Sequence, residues 1–199
     1  MVKGRIEEIM TELEKMRLGM WYDANFDEEL LIKRFAAQDL CAEYNLIKPS
    51  DFAKKNELLE KLIGYVPDGL TILAPFMCDY GTNIHLGSGV FVNVNCYFMD
   101  GADITLGNNV FVGPYTGFYT ANHPLDYKRR NAGLEKALPI KVGNNCWFGA
   151  NVSVMPGVTI GDGCVIAAGS VVTKDIPDNS LIAGVPAKVI RIINQDKDI

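Results

Sequence analysis

The chain predicts a parallel β-helix of hexapeptide repeats preceded by α-helices. Three observations carry that reading. Six-residue units "VGNNCW", "FGANVS", "VMPGVT", "IGDGCV", "IAAGSV" and "VTKDIP" tile residues 142–177 without a gap. The first residue of each is branched or aromatic: Val142, Phe148, Val154, Ile160, Ile166 and Val172. The same register occurs upstream, in units that begin at Leu86, Val92, Phe98, Leu106, Val112 and Phe118. One inward side chain per unit and three units per turn describe a triangular prism, its coils stacked about 4.8 Å apart.

Residues 3–64 have a helical rhythm instead. Ile6, Ile9, Met10, Leu13 and Met16 recur on one helical face, and Gly19 is a stop signal. Asp27 is the N-cap candidate of a second helix; Ser50 and Gly64 bracket a third. These helices are too few to enclose a core of their own. The segment 1–64 is therefore expected to pack across one end of a β-helix over 65–185, with 186–199 as a C-terminal tail.

Within the prism, the unit beginning at Phe98, "FMDGADIT", is two residues longer than the rest. The fifth positions Cys146, Val152, Val158, Cys164, Ser170 and Ile176 are small or medium-sized. Gly143, Gly149 and Gly161 hold second positions, read as tight corners that favour no side chain. Residues 124–141 match a coil in length but set Pro124, Arg130 and Lys136 at inward positions. Burying Arg130 and Lys136 unpaired would cost several kcal/mol, so 124–141 is read as a loop thrown out from a corner. Long loops on rigid scaffolds carry function.

Composition narrows the function. A chain of 199 residues, 48% apolar, can bury a real core, and its net charge of −5 argues against a general nucleic-acid binder. No apolar run approaches the ~18 residues of a membrane span. The acidic opening stretch, with Glu7, Glu8, Glu12 and Glu14, lacks the pattern of a secretion signal, so a cytoplasmic location is expected. Cys41, Cys78, Cys96, Cys146 and Cys164 show no C-x-x-C spacing and are read as reduced packing residues. Of the two histidines, His85 precedes the inward Leu86 and should face outward as a surface or interface residue. His123 follows Asn122, a fifth position, and stands at a corner at the root of the loop.

The segments "CDYGTNIHLG", "FVNVNCYFMD", "YTANHPLD" and "AGVPAKVIR", with the hexads around them, resemble the hexapeptide-repeat acetyltransferases. The match is closest to the maltose and galactoside O-acetyltransferase group and covers nearly the whole chain. The resemblance implies a left-handed β-helix and a homotrimer with active sites between subunits. It also implies acetyl-CoA as donor, a small-molecule acceptor such as a sugar, and no metal. It places the catalytic base at His123; acetyl transfer to an alcohol needs a group that takes the hydroxyl proton, and imidazole suits that task near neutral pH. Asp79 and Asn93 match acceptor-side positions, and Asp100 is a further candidate. Galactoside members can carry two adjacent carboxylates, whereas here Asp100 is followed by Gly101, a departure that speaks against galactosides.

For the donor, Thr173, Lys174, Lys188 and Arg191 match positions near the CoA phosphates. Ala150 and Ala168 match those along the pantetheine arm, and Trp147, outward in register, lines that groove. The run Lys128, Arg129, Arg130 reads as loop surface with reach to a neighbouring subunit. Tyr22, Asp23 and Asn25 are alternatives for an N-terminal contact to the acceptor. Three other readings stand beside this one: the same chemistry on an antibiotic or amine, a non-catalytic binding protein, and a zinc enzyme of the gamma carbonic anhydrase type. The last needs three converging histidines, and the chain has two.

Overall fold

A computed structural model, which describes residues 10–197, shows a helical cap followed by a triangular parallel β-helix. The cap opens with α1 (Glu12–Arg17). Its N-terminus is a capping box: Thr11 Oγ1 accepts from the Glu14 amide while the Glu14 carboxylate accepts from the Thr11 amide. Gly19 follows the C-cap at φ +63, the expected stop. Met16 is buried on the face described above; Ile6 and Ile9 lie outside the described residues. Helix α2 (Glu28–Leu46) starts at Asp27, whose side chain accepts from the Leu30 amide, as expected. Helix α3 (Phe52–Ile63) is capped by Asp51 rather than Ser50. The Asp51 carboxylate accepts from the Lys54 amide and places negative charge at the positive end of the helix dipole. Gly64, left-handed at φ +83, ends it.

The cap shares one core with the first coils. Ala37, Cys41 and Tyr44 of α2, with Leu58, Leu59, Leu62 and Ile63 of α3, pack against Ile72, Phe76 and Cys78. The Tyr44 hydroxyl donates to the Ile72 carbonyl at 2.6 Å. The Asn45 amide exchanges two 2.9 Å hydrogen bonds with the Phe76 backbone. These bonds satisfy backbone groups that the first coil would otherwise leave unpaired at its edge.

The prism has three faces. The first contains β2 (Thr71–Ile72), β5 (Phe91–Val92), β8 (Phe111–Val112), β13 (Trp147–Phe148), β16 (Val165–Ile166) and β18 (Ser180–Gly184). The second contains β3 (Phe76–Cys78), β6 (Cys96–Met99), β9 (Gly117–Tyr119), β14 (Ser153–Val154) and β17 (Val171–Val172). The third contains β4 (Ile84–Leu86), β7 (Ile104–Leu106), β12 (Ile140–Val142) and β15 (Thr159–Ile160). All these strands pair in parallel with the register that the hexads predict: Val142 with Ile160, Phe148 with Ile166, Val154 with Val172. Across the loop, Leu106 pairs with Val142, Val112 with Phe148 and Phe118 with Val154. The loop is thus bypassed, and the coil before it stacks directly on the coil after it.

Every first-position residue is at most 4% exposed, and the fifth positions from Cys146 to Ile176 are at most 7% exposed. Phe76, Phe98, Phe118 and Phe148 run up the core edge to face, with centroids 5.3, 4.8 and 5.4 Å apart. The corners correct the reading of the glycines. The left-handed residue sits at the fourth position, with φ from 55 to 80 at Gly89, Asn95, Asn109, Tyr115, Asn145, Asn151, Gly157, Gly163 and Gly169. The second-position glycines answer to space instead. A Cβ on Gly149 would lie 2.6 Å from the Ala168 amide nitrogen, and one on Gly107 2.8 Å from the Gly143 carbonyl carbon.

The excursion is shorter at its end than 124–141. Ile140 and Lys141 already belong to β12, and Ile140 is fully buried in a fifth position. The chain also leaves the prism earlier than His123. Asn122 is exposed because β10 (Ala121–Asn122) turns outward to pair with β11 (Leu134–Ala137). On its other edge β11 pairs antiparallel with β1 (Tyr22–Asp23), which makes a three-stranded sheet outside the prism. A single helical turn, α4 (Tyr127–Asn131), forms the tip. At the far end, residues 187–192 are a strand rather than a loose tail: β19 (Ala187–Ile192) folds back antiparallel on β18 and covers the last edge of the first face. Among the described residues no helix is long and apolar enough to cross a membrane.

Candidate active site

His123 stands where β10 ends, and its ring is fixed by the returning strand. Nδ1 lies 3.1 Å from the Leu134 carbonyl oxygen. A carbonyl only accepts, so Nδ1 carries the proton and Nε2 carries the free lone pair. Nε2 is 3.8 Å from Glu135 Oε2. The His123 side chain is 46% exposed and that of Glu135 14%, so the imidazole reaches solvent over a sheltered carboxylate. The other Glu135 oxygen, Oε1, accepts from the buried Tyr22 hydroxyl. Burial and the Glu135 charge push the Tyr22 phenol well above its ordinary range, so it stays a donor. A cavity of about 410 Å³ opens beside the ring, bounded by Trp21, Asn122, Pro124, Arg129, Lys136 and Leu138 among others. A larger groove of about 500 Å³, between α1 and the corner at Gly101–Asp103, contains no histidine. The chemistry favours the smaller.

Behind Glu135 lies a second polar layer. The Arg34 guanidinium donates from Nη2 to the Ala24 carbonyl at 2.8 Å and to the Tyr80 hydroxyl at 3.0 Å. Its buried Nε has no hydrogen-bond partner, and the guanidinium acts electrostatically on both Asp79 and Glu135. The Tyr97 hydroxyl donates to Asp79 Oδ1 at 2.5 Å. Burial raises the Asp79 carboxyl above its usual range, against the opposing pull of Tyr97 and Arg34.

Asp100 is not placed to meet a ligand. It is fully buried, and its Oδ1 accepts from the amides of Asp79 at 2.9 Å and Tyr80 at 2.8 Å. Its own carbonyl accepts from Asn83 Nδ2 at 2.6 Å. Asp100 therefore holds the corner that carries Asp79, a positioning task. Burial pushes its carboxyl up to about 6, with the Asp79 charge adding to the rise and the backbone donors opposing it.

Of the three N-terminal alternatives, Tyr22 reaches the His123 neighbourhood, through Glu135. Asp23 Oδ1 is engaged by the amides of Asn25 and Phe26 at 3.1 and 2.9 Å, and the Asn25 side chain is exposed. In the basic run, the Arg129 guanidinium lies 5.1 Å from the centroid of the Trp21 ring, and Arg130 donates to the carbonyls of Pro124 and Leu125. Both pin the excursion in place; Lys128 is exposed on α4. His85 faces outward as expected, with Nε2 3.2 Å from Asp103 Oδ1. Among the described residues no group of three His, Cys, Asp or Glu side chains is arranged to hold a metal.

The candidates divide between two corners of the prism. Asp79, Asp100, His123, Thr173 and Lys174 all follow second-face strands, at the corner that leads to the third face. Asn93, Ala150 and Ala168 follow first-face strands, at the corner that leads to the second. Trp147, 57% exposed, stands on the first face, where it pairs with Phe111 and Val165, and β19 adds Lys188 and Arg191 to the same sheet. The donor-side candidates Thr173 and Lys174 thus share the His123 corner, and the remaining donor-side candidates stand on or beside the first face. Glu135, Arg34 and Tyr97 were not singled out in the sequence. Glu135 sits in the segment that broke the hexad register, which is the only local signal it leaves.

Comparison with known proteins agrees with this architecture. A family model described as "Maltose acetyltransferase hexapeptide capping motif" matches residues 15–67, and one described as "Hexapeptide repeat of succinyl-transferase" matches residues 139–174. A Staphylococcus haemolyticus protein named "Putative acetyltransferase SH0499" is 62% identical over 187 residues, 94% of this chain and 97% of its own. A maltose O-acetyltransferase from Clostridium difficile is 43% identical, with a TM-score of 0.90 over 94% of this chain and 99% of that one. A galactoside acetyltransferase solved with coenzyme A is 38% identical, with a TM-score of 0.89 over 94% and 93%. With a left-handed β-helix, its hexads in register and its cap in place, the chain belongs to the hexapeptide-repeat acetyltransferases of the maltose and galactoside O-acetyltransferase type.

Proposed function

We propose that this acetyltransferase moves the acetyl group of acetyl-CoA to a hydroxyl of a sugar or sugar-like acceptor, in a ternary complex, with His123 as general base. One observation carries the reading: the Leu134 carbonyl holds the Nδ1 proton, which leaves the Nε2 lone pair free on a ring that lines the cavity. Nε2 takes the proton of the acceptor hydroxyl as its oxygen attacks the thioester carbonyl carbon. The imidazolium then forms 3.8 Å from the Glu135 carboxylate, which stabilises it. The tetrahedral intermediate collapses, the C–S bond breaks, and Nε2–H returns the proton to the departing thiolate. Cys96, Cys146 and Cys164 are buried in the prism, so none is offered as an acyl carrier.

CoA binding on this chain is supported by the solved relatives, one in complex with acetyl-CoA and one with CoA. We assign the phosphates to Thr173, Lys174, Lys188 and Arg191, and the pantetheine arm to the groove of Trp147, Ala150 and Ala168. Asp79 and, from its own corner, Asn93 bind the acceptor. The division of these residues between two corners supports a homotrimer in which His123 of one subunit faces the groove of the next. Gly101 supports an acceptor other than a galactoside. A Cβ there would already sit 3.1 Å from the Tyr22 hydroxyl and 3.4 Å from Glu135 Oε1, so a carboxylate at 101 would crowd Glu135. The unpaired thiols fit a reducing compartment, and we place the enzyme in the cytosol on that ground.

The test is release of free CoA thiol from acetyl-CoA against a panel of maltose, glucose, galactosides, serine and hydroxylated antibiotics. Acceptor-dependent release with a sugar, lost in His123→Ala, is the expected outcome. Release that is independent of every acceptor, or unchanged in His123→Ala, overturns the reading.

A further inference from the structure

Two thiols face each other at the seam between cap and prism, directly beside the corner that carries Asp79. Cys41 lies on the buried face of α2 and Cys78 ends β3. Their sulfurs are 3.6 Å apart, and the residues are 2% and 1% exposed. A disulfide needs about 2.05 Å between sulfurs, so the gap closes by an approach of roughly 1.5 Å, within the reach of side-chain rotation and a small helix shift. A groove of about 310 Å³ opens near this seam, with Ala37 and Leu40 of α2 on one side and Tyr80, two residues beyond Cys78, on the other; neither sulfur lines it.

We infer that Cys41 and Cys78 form a peroxide-responsive disulfide that fastens the helical cap to the β-helix. The atoms balance with hydrogen peroxide as the oxidant. The Cys41 thiolate attacks one peroxide oxygen, the O–O bond breaks, and a sulfenic acid forms with release of water. The Cys78 sulfur then attacks the Cys41 sulfur, the S–O bond breaks, and a second water leaves as the S–S bond forms. Both thiol protons end in water. Either thiol can donate in the 3.6 Å contact, and a hydrogen bond from the Cys78 thiol lowers the Cys41 thiol, which suits Cys41 as the first to react.

The bond would reach the acceptor side of the molecule. Cys78 is followed directly by Asp79, and Arg34 lies two turns before Cys41 on α2. The disulfide would tie together the two elements that carry the Arg34–Tyr80–Asp79 cluster.

The experiment exposes the folded full-length protein to hydrogen peroxide, quenches with iodoacetamide, and reads intact mass and a peptide map without reductant. The expected result is loss of two hydrogens and one cross-linked peptide joining Cys41 to Cys78, reversed by dithiothreitol. The midpoint of thermal unfolding should rise in oxidised wild type, and this rise should be absent in Cys41→Ser and Cys78→Ser treated alike. The cross-link should persist in Cys146→Ser and Cys164→Ser, whose thiols also stack between coils. Mapping of the disulfide to Cys146 and Cys164 would overturn the inference. So would sulfinic acid on Cys41 without a cross-link, or five unreacted thiols in the folded protein.

Discussion

His123 is a side chain whose chemistry is set by fixed neighbours. Its tautomer is set by a backbone carbonyl, and its charged form is met by a carboxylate that a buried tyrosine holds in place. His123→Ala should fold normally and lose acetyl transfer by ~10²–10⁴-fold in kcat/KM, measured by thiol release. Glu135→Gln keeps the shape and removes the charge beside the imidazolium. It should lower kcat by roughly 10-fold, which corresponds to about 1.4 kcal/mol, with KM for acetyl-CoA little changed. Asp100 offers a test by pH. Its folded carboxyl lies near 6 and its ordinary value is 3.8, so the folded state binds the proton more tightly than the unfolded one. Folding stability from this group is therefore greatest below the ordinary value and falls as pH rises through 6. Wild type should lose about 2 kcal/mol relative to Asp100→Asn between pH 4 and 6, at about 1.4 kcal/mol per pKa unit, with the loss levelling off near pH 7. Urea unfolding of both proteins at a series of pH values reads the difference.

At the scale of the element, the coil is the unit, and its second and fourth positions obey different rules. The second position is where neighbouring backbones come closest. Gly149→Ala should cost about 1–3 kcal/mol, because its new Cβ meets the Ala168 amide nitrogen at 2.6 Å and must push a coil aside. The fourth position asks only for left-handed backbone. Gly169, at φ +74, has nothing within 4 Å of its Cβ site, and asparagine already holds the matching places at Asn145 and Asn151. Gly169→Asn should change stability by less than about 1 kcal/mol. Chemical denaturation of the two variants separates space from backbone strain as the reason for these glycines.

For the whole molecule, the homotrimer proposed above predicts complementation. Subunits carrying His123→Ala keep their CoA groove, and subunits carrying Ala168→Trp keep their histidine. Unfolded together and refolded as mixed oligomers, they should regain acetyl transfer that neither has alone. A site complete within one chain would give no recovery, and a single-subunit mass by light scattering would contradict the assembly directly.

The hexad register alone determined a large part of this protein. It encoded the prism, the inward positions, the break after Phe118 and the station of His123 at that break. The cap helices and two of their three stops were also legible, since capping is a local matter of a few residues. The causes are the same: each unit needs only its own inward side chain and its own corner. What the tertiary structure decided are the partnerships between distant segments. Tyr22 and Glu135 are 113 positions apart, and no periodicity connects them. Asp100 had the residue type of a ligand contact, yet folding turned its carboxylate onto the amides of Asp79 and Tyr80, because buried donors in a tight corner require an acceptor. The second-position glycines had a backbone reading in the sequence and a packing reason in space, since the distance to the next coil exists only once the coils are stacked.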